Sequence, residues 1–249
     1  MNVYAGDSHA NFRMENIKGI IFDYGGTIDS RGDHWSEVID RAYRASGLVI
    51  EREAFRDAYV FAERKLARER IILPGDNFHV LMLKKIRIEM EHLVSCGVIP
   101  ESLLSDGTVE RVSFECYESA RRCVAEARPV LEALAARYPM VLVSNFYGNV
   151  DEVIRDFGIR HLFSGVIESA VVGVRKPDPR IFMLGVVALG LEPSQVLVVG
   201  DSLRKDIEPA RSIGCSVAWI KGKGWTPEED MMEDSAQIEN LASLLESIS

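Results

Sequence analysis

Three short apolar runs each end in a residue able to do chemistry. Ile20-Ile21-Phe22 leads into Asp23, Met140-Val141-Leu142-Val143 into Ser144, and Val196-Leu197-Val198-Val199-Gly200 into Asp201. A carboxylate can attack an electrophile or ligate a hard cation, and a hydroxyl can donate a hydrogen bond to an anion. Aliphatic runs of this length suit strands buried on both faces, as in a parallel sheet. Open parallel sheets bind ligands at the carboxyl ends of their strands. Two carboxylates and a hydroxyl are therefore expected around one point. Any one of them alone is also a common turn former or helix N-cap. Their joint appearance, at three strand ends, is the informative fact.

The rest of the chain must position them. Residues 165–168 and 216–220 are further strand candidates, and helical patterns fill 129–138, 150–157, 179–189, 206–213 and 238–248. Pro179 behind Asp178 reads as a helix start and Gly214 as a stop. This alternation argues for a Rossmann-like α/β core with a mostly parallel sheet. Between about Asp33 and Ala127 no aliphatic strand of that type occurs. Long helical patterns take its place at 35–45, 53–71, 78–95 and 109–127, broken by Gly47, Pro74-Gly75-Asp76, Gly97 to Pro100 and Asp106-Gly107. The expected organisation is a loose N-terminal extension over 1–16, an α/β core from 17–30 and 129–249, and an inserted all-helical domain over 31–128.

Composition narrows the function classes. With 249 residues, 47% hydrophobic and 27% charged, the chain suffices for a real core carrying an insert. The formal net charge is -9 and no Lys/Arg block forms a tail, so nucleic acid is not an expected partner. An acidic protein that handles an anion needs local cationic help, from a lysine or a divalent metal. No apolar run approaches the roughly 18 residues of a membrane span. The polar N-terminus lacks the apolar centre of a secretory signal. Cys96, Cys116, Cys123 and Cys215 form no C-x-x-C pair and no zinc spacing, which fits scattered thiols in a reducing compartment. A cytoplasmic location is the expectation.

Asp23-Tyr24-Gly25-Gly26-Thr27, followed by Ile28, resembles the first motif of the haloacid dehalogenase superfamily, usually D-x-D-G-T and a hydrophobic residue. Ser144-Asn145 resembles the second motif, Lys176-Pro177-Asp178-Pro179 the third, and Gly200-Asp201-Ser202 with Asp206 the fourth. The motifs occur in order from Gly19 onward, and the helical insert falls where that superfamily carries a cap. The resemblance implies a Mg²⁺-dependent hydrolase acting on a small phosphorylated metabolite. Asp23 would attack phosphorus and form an aspartyl-phosphate that water then hydrolyses. Lys176 would neutralise charge on nucleophile and phosphate, and Ser144 would donate to a phosphate oxygen. Backbone N–H groups near Gly26, Thr27 and Asn145 would add donors, with Thr27 more a brace for the loop than a substrate contact. The metal would lie on Asp23, the Gly25 carbonyl and Asp201, while Asp206 would hold one of its waters or orient Lys176.

Gly25 departs from the pattern. The superfamily's phosphatases carry an aspartate there, on the nucleophile's side of the strand, as general acid and base. Glycine keeps the carbonyl and loses the proton carrier. Tyr24 points to the other face, and Asp29 lies beyond the turn as a weak stand-in. Three readings follow: a phosphatase or phosphoryl-transfer enzyme using a good leaving group; a relative of the phosphonatases, whose cap lysine forms a Schiff base; and a phosphate-binding or regulatory domain without turnover. Lys65, Lys84 and Lys85 are the cap lysines available, and each reads as a solvated residue on a charged helix face. Arg64 with Arg68, and Arg87 with the two neighbouring lysines, read the same way. Phe55, Tyr59, Leu66, Phe78, Leu81 and Met82 fit a packed helical face. His34-Trp35 reads as a structural hinge into the insert.

Overall fold

The computed structural model describes residues 16–247; the extension expected over 1–16 lies outside them except for Asn16. After β1 (Gly19–Phe22) come α1 (Trp35–Ala45), α2 (Arg52–Arg68), α3 (Phe78–Ser95) and α4 (Asp106–Ala135). There follow β2 (Met140–Ser144), α5 (Val150–Asp156), β3 (Gly165–Glu168), α6 (Ser169–Val172), α7 (Arg180–Leu189), β4 (Val196–Gly200), α8 (Glu208–Ser212), β5 (Ser216–Ile220), α9 (Pro227–Asp230), β6 (Gln237–Ile238) and α10 (Ser243–Ser247). The strands form one parallel sheet in the order β3-β2-β1-β4-β5-β6. β1 is central and pairs with β2 and β4, so Asp23, Ser144 and Asp201 leave the sheet side by side at its carboxyl edge.

Burial on both faces explains the unbroken aliphatic runs. Ile20, Phe22, Leu142, Leu197 and Val199 pack in one layer with residues of α1 to α4. Ile21, Val141, Val143, Val196 and Val198 pack in the other, with Phe182 and Val186 of α7 and Ala210 of α8. Alternate residues serve opposite layers, so neither parity can be polar. Each fully buried aliphatic side chain here contributes roughly 1.5–3 kcal/mol. Among the described residues no helix is long and apolar enough to cross a membrane.

Three elements differ from expectation. The helices expected at 109–127 and 129–138 are one, because α4 continues through Pro129. Proline removes one bond to the preceding turn, but Ala127, Val130, Leu131 and Leu134 continue the buried face and hold the helix together. The expected boundary between insert and core thus falls inside a helix. Residues 206–213 begin with a π-helical turn over Leu203–Ile207 before α8. At the C-terminus Ile238 extends the sheet instead of opening a helix, pairing with Ile220, and the helix is delayed to Ser243. A two-residue strand is too short to leave a periodic trace in sequence.

Candidate active site

Asp23 is 5% exposed and is gripped from three sides. Lys176 Nζ lies 2.6 Å from Asp23 Oδ1, and Ser144 Oγ donates to the same oxygen at 3.1 Å. Thr27 Oγ1 is 3.3 Å from Asp23 Oδ2 and 2.9 Å from Asp201 Oδ1, and its single proton favours the shorter contact. Lys176 also pairs with Asp206 Oδ1 at 2.6 Å, and the Ser202 backbone N–H donates to Asp206 Oδ2 at 3.0 Å. The buried ammonium therefore bridges two carboxylates. Burial pulls its pKa down, but Asp206 and Asp23 outweigh that and hold it above the usual lysine range. Asn145 clamps the Lys176 backbone: its Oδ1 accepts from the Lys176 N–H at 2.9 Å and its Nδ2 donates to the Lys176 carbonyl at 3.1 Å. Trp219 Nε1 fixes the Asp201 carbonyl at 2.7 Å.

Asp23, Asp201 and Asp206 each bring a carboxylate oxygen within 4.8 Å of the others. Three carboxylates against the one ammonium of Lys176 leave a formal charge of two minus. Burial, then the charges of Asp206 and Asp23, push Asp201 well above the usual carboxylate range. Clustered hard oxygens short of two positive charges fit a divalent cation such as Mg²⁺. Asp201→Ala should weaken Mg²⁺ binding by about tenfold or more in calorimetry. Equal affinity in variant and wild type would remove Asp201 from the metal site.

The first-motif loop has divided duties. A Cβ built on Gly25 meets nothing within 4 Å, and the backbone there is not left-handed. Gly26 has φ 101°, and a Cβ there would sit 2.4 Å from the Asp201 carboxylate, so only glycine fits. Gly26 lines the cavity, and its N–H donates to Asp29 Oδ1 at 2.8 Å. Asp29 also accepts from Trp35 Nε1 at 3.0 Å. Burial pushes its carboxyl up to about 8 against these two donors. It props the loop from below and does not line the cavity above Asp23. Thr27 is 1% exposed and likewise braces carboxylates without lining that cavity. Tyr24 is fully buried in the layer that holds α1 to α4, against Phe146.

Above Asp23 lies a cavity of about 530 Å³, shared between the strand ends and the inserted helices. Tyr59, Phe78, Leu81 and Met82 line it as well as packing the helices together. Lys85 lines it too, which corrects its reading as a solvated residue: it is 2% exposed, paired with Glu63, with Nζ 4.3 Å from the Tyr59 ring centre. Tyr147 OH donates to the same Glu63 at 2.7 Å. Burial pulls the Lys85 ammonium down, but Glu63 and neighbouring groups more than restore it, well above the usual lysine range. The signal was available in the sequence. Lys85 lies seven residues after Phe78 and four after Leu81, on the apolar stripe of α3. Of the other expected cations, Lys84 pairs with Asp76, Arg87 with Asp106, and Arg64 and Arg68 are exposed. Neither these four nor Lys65 lines the cavity. His34 does, between Tyr59 and Trp225; its Nδ1 accepts from the Ser36 N–H at 3.2 Å, and burial pushes its pKa down to about 3.

Residues 17–214 match the sequence profile of haloacid dehalogenase-like hydrolases, and the chain belongs to that family. It is 34% identical to the glyceraldehyde 3-phosphate phosphatase of Methanocaldococcus jannaschii over 226 residues, 88% of this chain and 91% of that protein. It is 34% identical to the phosphoserine phosphatase of Thermus thermophilus over 147 residues, 57% of this chain and 56% of that relative's length. Among solved structures, a dehalogenase superposes with a TM-score of 0.60 at 16% identity, covering 93% of this chain and 97% of that one. The structural likeness speaks for the fold alone.

Proposed function

We propose that this hydrolase is a phosphatase that works through an aspartyl-phosphate on Asp23 and prefers substrates with good leaving groups. The observation carrying the reading is the Asp23 carboxylate, held by Lys176 and Ser144 at the floor of a cavity large enough for a small metabolite. The relatives named for phosphoserine and glyceraldehyde 3-phosphate support a small phosphorylated substrate. An Asp23 oxygen bonds to phosphorus as the bond to the leaving oxygen breaks, and that oxygen takes the electron pair. Water then attacks the acyl-phosphate, releasing phosphate and restoring the carboxylate. Lys176 offsets the repulsion between two anions, Ser144 donates a hydrogen bond, and Asn145 keeps Lys176 in place. Asp23, the Gly25 carbonyl and Asp201 would hold Mg²⁺, which would supply the remaining positive charge; Asp206 would orient Lys176. The inserted helices α1 to α4 would act as the cap that excludes water.

The phosphonatase alternative gains one observation, the presence of Lys85 in the cavity. It loses more, because a Schiff base needs a neutral amine, and the Glu63 carboxylate beside Lys85 favours its charged form. Acetyl phosphate and p-nitrophenyl phosphate should be hydrolysed in the presence of Mg²⁺, and simple alkyl phosphates about 10²-fold more slowly or worse. Equal rates on aryl and alkyl esters would mean another acid serves the site. Failure on every phosphoryl substrate despite Mg²⁺ binding would favour the non-enzyme reading. A borohydride-trapped adduct with phosphonoacetaldehyde would favour the phosphonatase reading.

A further inference from the structure

A second group of metal-binding side chains lies on the inserted helices, away from the cavity. Asp57 of α2, His92 of α3, and Cys96, which caps α3, bring one ligand atom each to within 4.8 Å of one another. Asp57 Oδ2 is 2.7 Å from His92 Nε2, and Cys96 Sγ is 3.6 Å from the same nitrogen. A nucleophilic triad puts its carboxylate and its nucleophile on opposite imidazole nitrogens. Here both converge on Nε2, which does not suit a proton relay and does suit a shared cation.

We propose that Asp57, His92 and Cys96 form a zinc site that ties α2 to α3. The donor set decides the metal. Thiolate, imidazole and carboxylate together favour Zn²⁺ over the hard cation of the carboxylate cluster around Asp23. The spacing agrees: with Zn–N near 2.0 Å and Zn–S near 2.3 Å, a tetrahedral angle separates nitrogen and sulfur by about 3.5 Å. Nitrogen and carboxylate oxygen would stand about 3.3 Å apart on the same geometry, so the Asp57 carboxylate must swing out by about half an ångström. Asp57 is 70% exposed and free to do so. His92 and Cys96 are four residues apart and therefore on one helix face. The His92 ring is already oriented, stacked on Phe61 at 4.1 Å and 16°. Holding the ring in advance lowers the entropy lost on binding. Cys96 is exposed, so its thiol can give up its proton to water as the metal binds. Three protein ligands leave the fourth position to solvent. In sequence the site was hidden, because Asp57 lies far from the His92-x-x-x-Cys96 pair and belongs to another helix.

Co²⁺ is the probe, since a thiolate-to-cobalt charge-transfer band reports only sulfur ligation and is blind to the carboxylate cluster. Full-length wild type should show the band on Co²⁺ addition, lose it to one equivalent of Zn²⁺ and keep it with Mg²⁺. Cys96→Ser should abolish it, and His92→Ala should weaken Co²⁺ binding by about tenfold or more. Zn²⁺ should also protect Cys96 of the wild type from iodoacetamide, read by peptide mass spectrometry. No band in the wild type, a band that persists in Cys96→Ser, or alkylation of Cys96 at the same rate with and without Zn²⁺ would each overturn the proposal. None of these readouts depends on turnover at Asp23, so the two sites stand or fall separately.

Discussion

Gly25→Asp should raise turnover of alkyl phosphates by about 10²-fold or more, up to the roughly 10⁴-fold that a well-placed general acid provides. That range corresponds to about 3–5 kcal/mol of barrier. The steric cost is small. A Cβ at position 25 meets nothing within 4 Å, and the backbone there is one that any L-residue adopts. Gly25 lines the cavity beside Asp23, so the new carboxyl enters the site itself. The site already holds Asp23, Asp201 and Asp206, and their negative charge will push the new group's pKa up, toward the range where it can donate a proton. Substrates whose leaving groups need no proton should gain far less from the same change. Gly25→Asn fills the same space without a transferable proton and should give no gain on either class. Steady-state kcat/KM across a leaving-group series checks this. Equal gains for Asp and Asn would mean that the side chain fills space and does not move a proton. A substitution with no effect on alkyl esters, in a variant that still hydrolyses p-nitrophenyl phosphate, would show that leaving-group protonation does not limit the enzyme.

Legibility in the sequence followed locality. β1, β2 and β4 could be bounded because a strand buried on both faces leaves an uninterrupted apolar run, and the chemistry sits on the next residue or the last. Asp23, Ser144, Lys176, Asp201 and Asp206 do meet at one point. The cavity roof was not legible in the same way. The position of Lys85 on the apolar stripe of α3 can be read from its spacing, but its partner Glu63 cannot, because that pairing depends on packing between residues 22 positions apart. Nor does the sequence reveal that Asp29 turns back to take the Gly26 N–H. The continuity of α4 through Pro129 depended on a buried face that continues beyond the proline, a tertiary effect that overrides a local breaker.

Asp23→Asn should abolish phosphoryl turnover, by on the order of 10⁴-fold or more, since removing a covalent nucleophile removes the pathway itself. The substitution is nearly isosteric, and the fold should survive it. An amide oxygen can still accept from Ser144 and Lys176, and Lys176 keeps its ion pair with Asp206. Deleting one of three crowded carboxylates also relieves repulsion with Asp201 and Asp206, so the thermal midpoint should hold or rise. Gly25 sharpens the test. Without a general base, water attacks the acyl-phosphate slowly, so the second step should limit turnover with an activated donor. Wild type should then release a burst of about one p-nitrophenolate per protein, followed by a slower steady state, as covalent catalysis with a slow second step requires. Intact-mass spectrometry after rapid acid quench should show one added phosphoryl group. Asp23→Asn should show neither burst nor adduct, and Gly25→Asp should shorten the adduct's lifetime. A burst that persists in Asp23→Asn would place the nucleophile elsewhere, and turnover without any adduct in either Asp23-containing protein would point to direct attack by water.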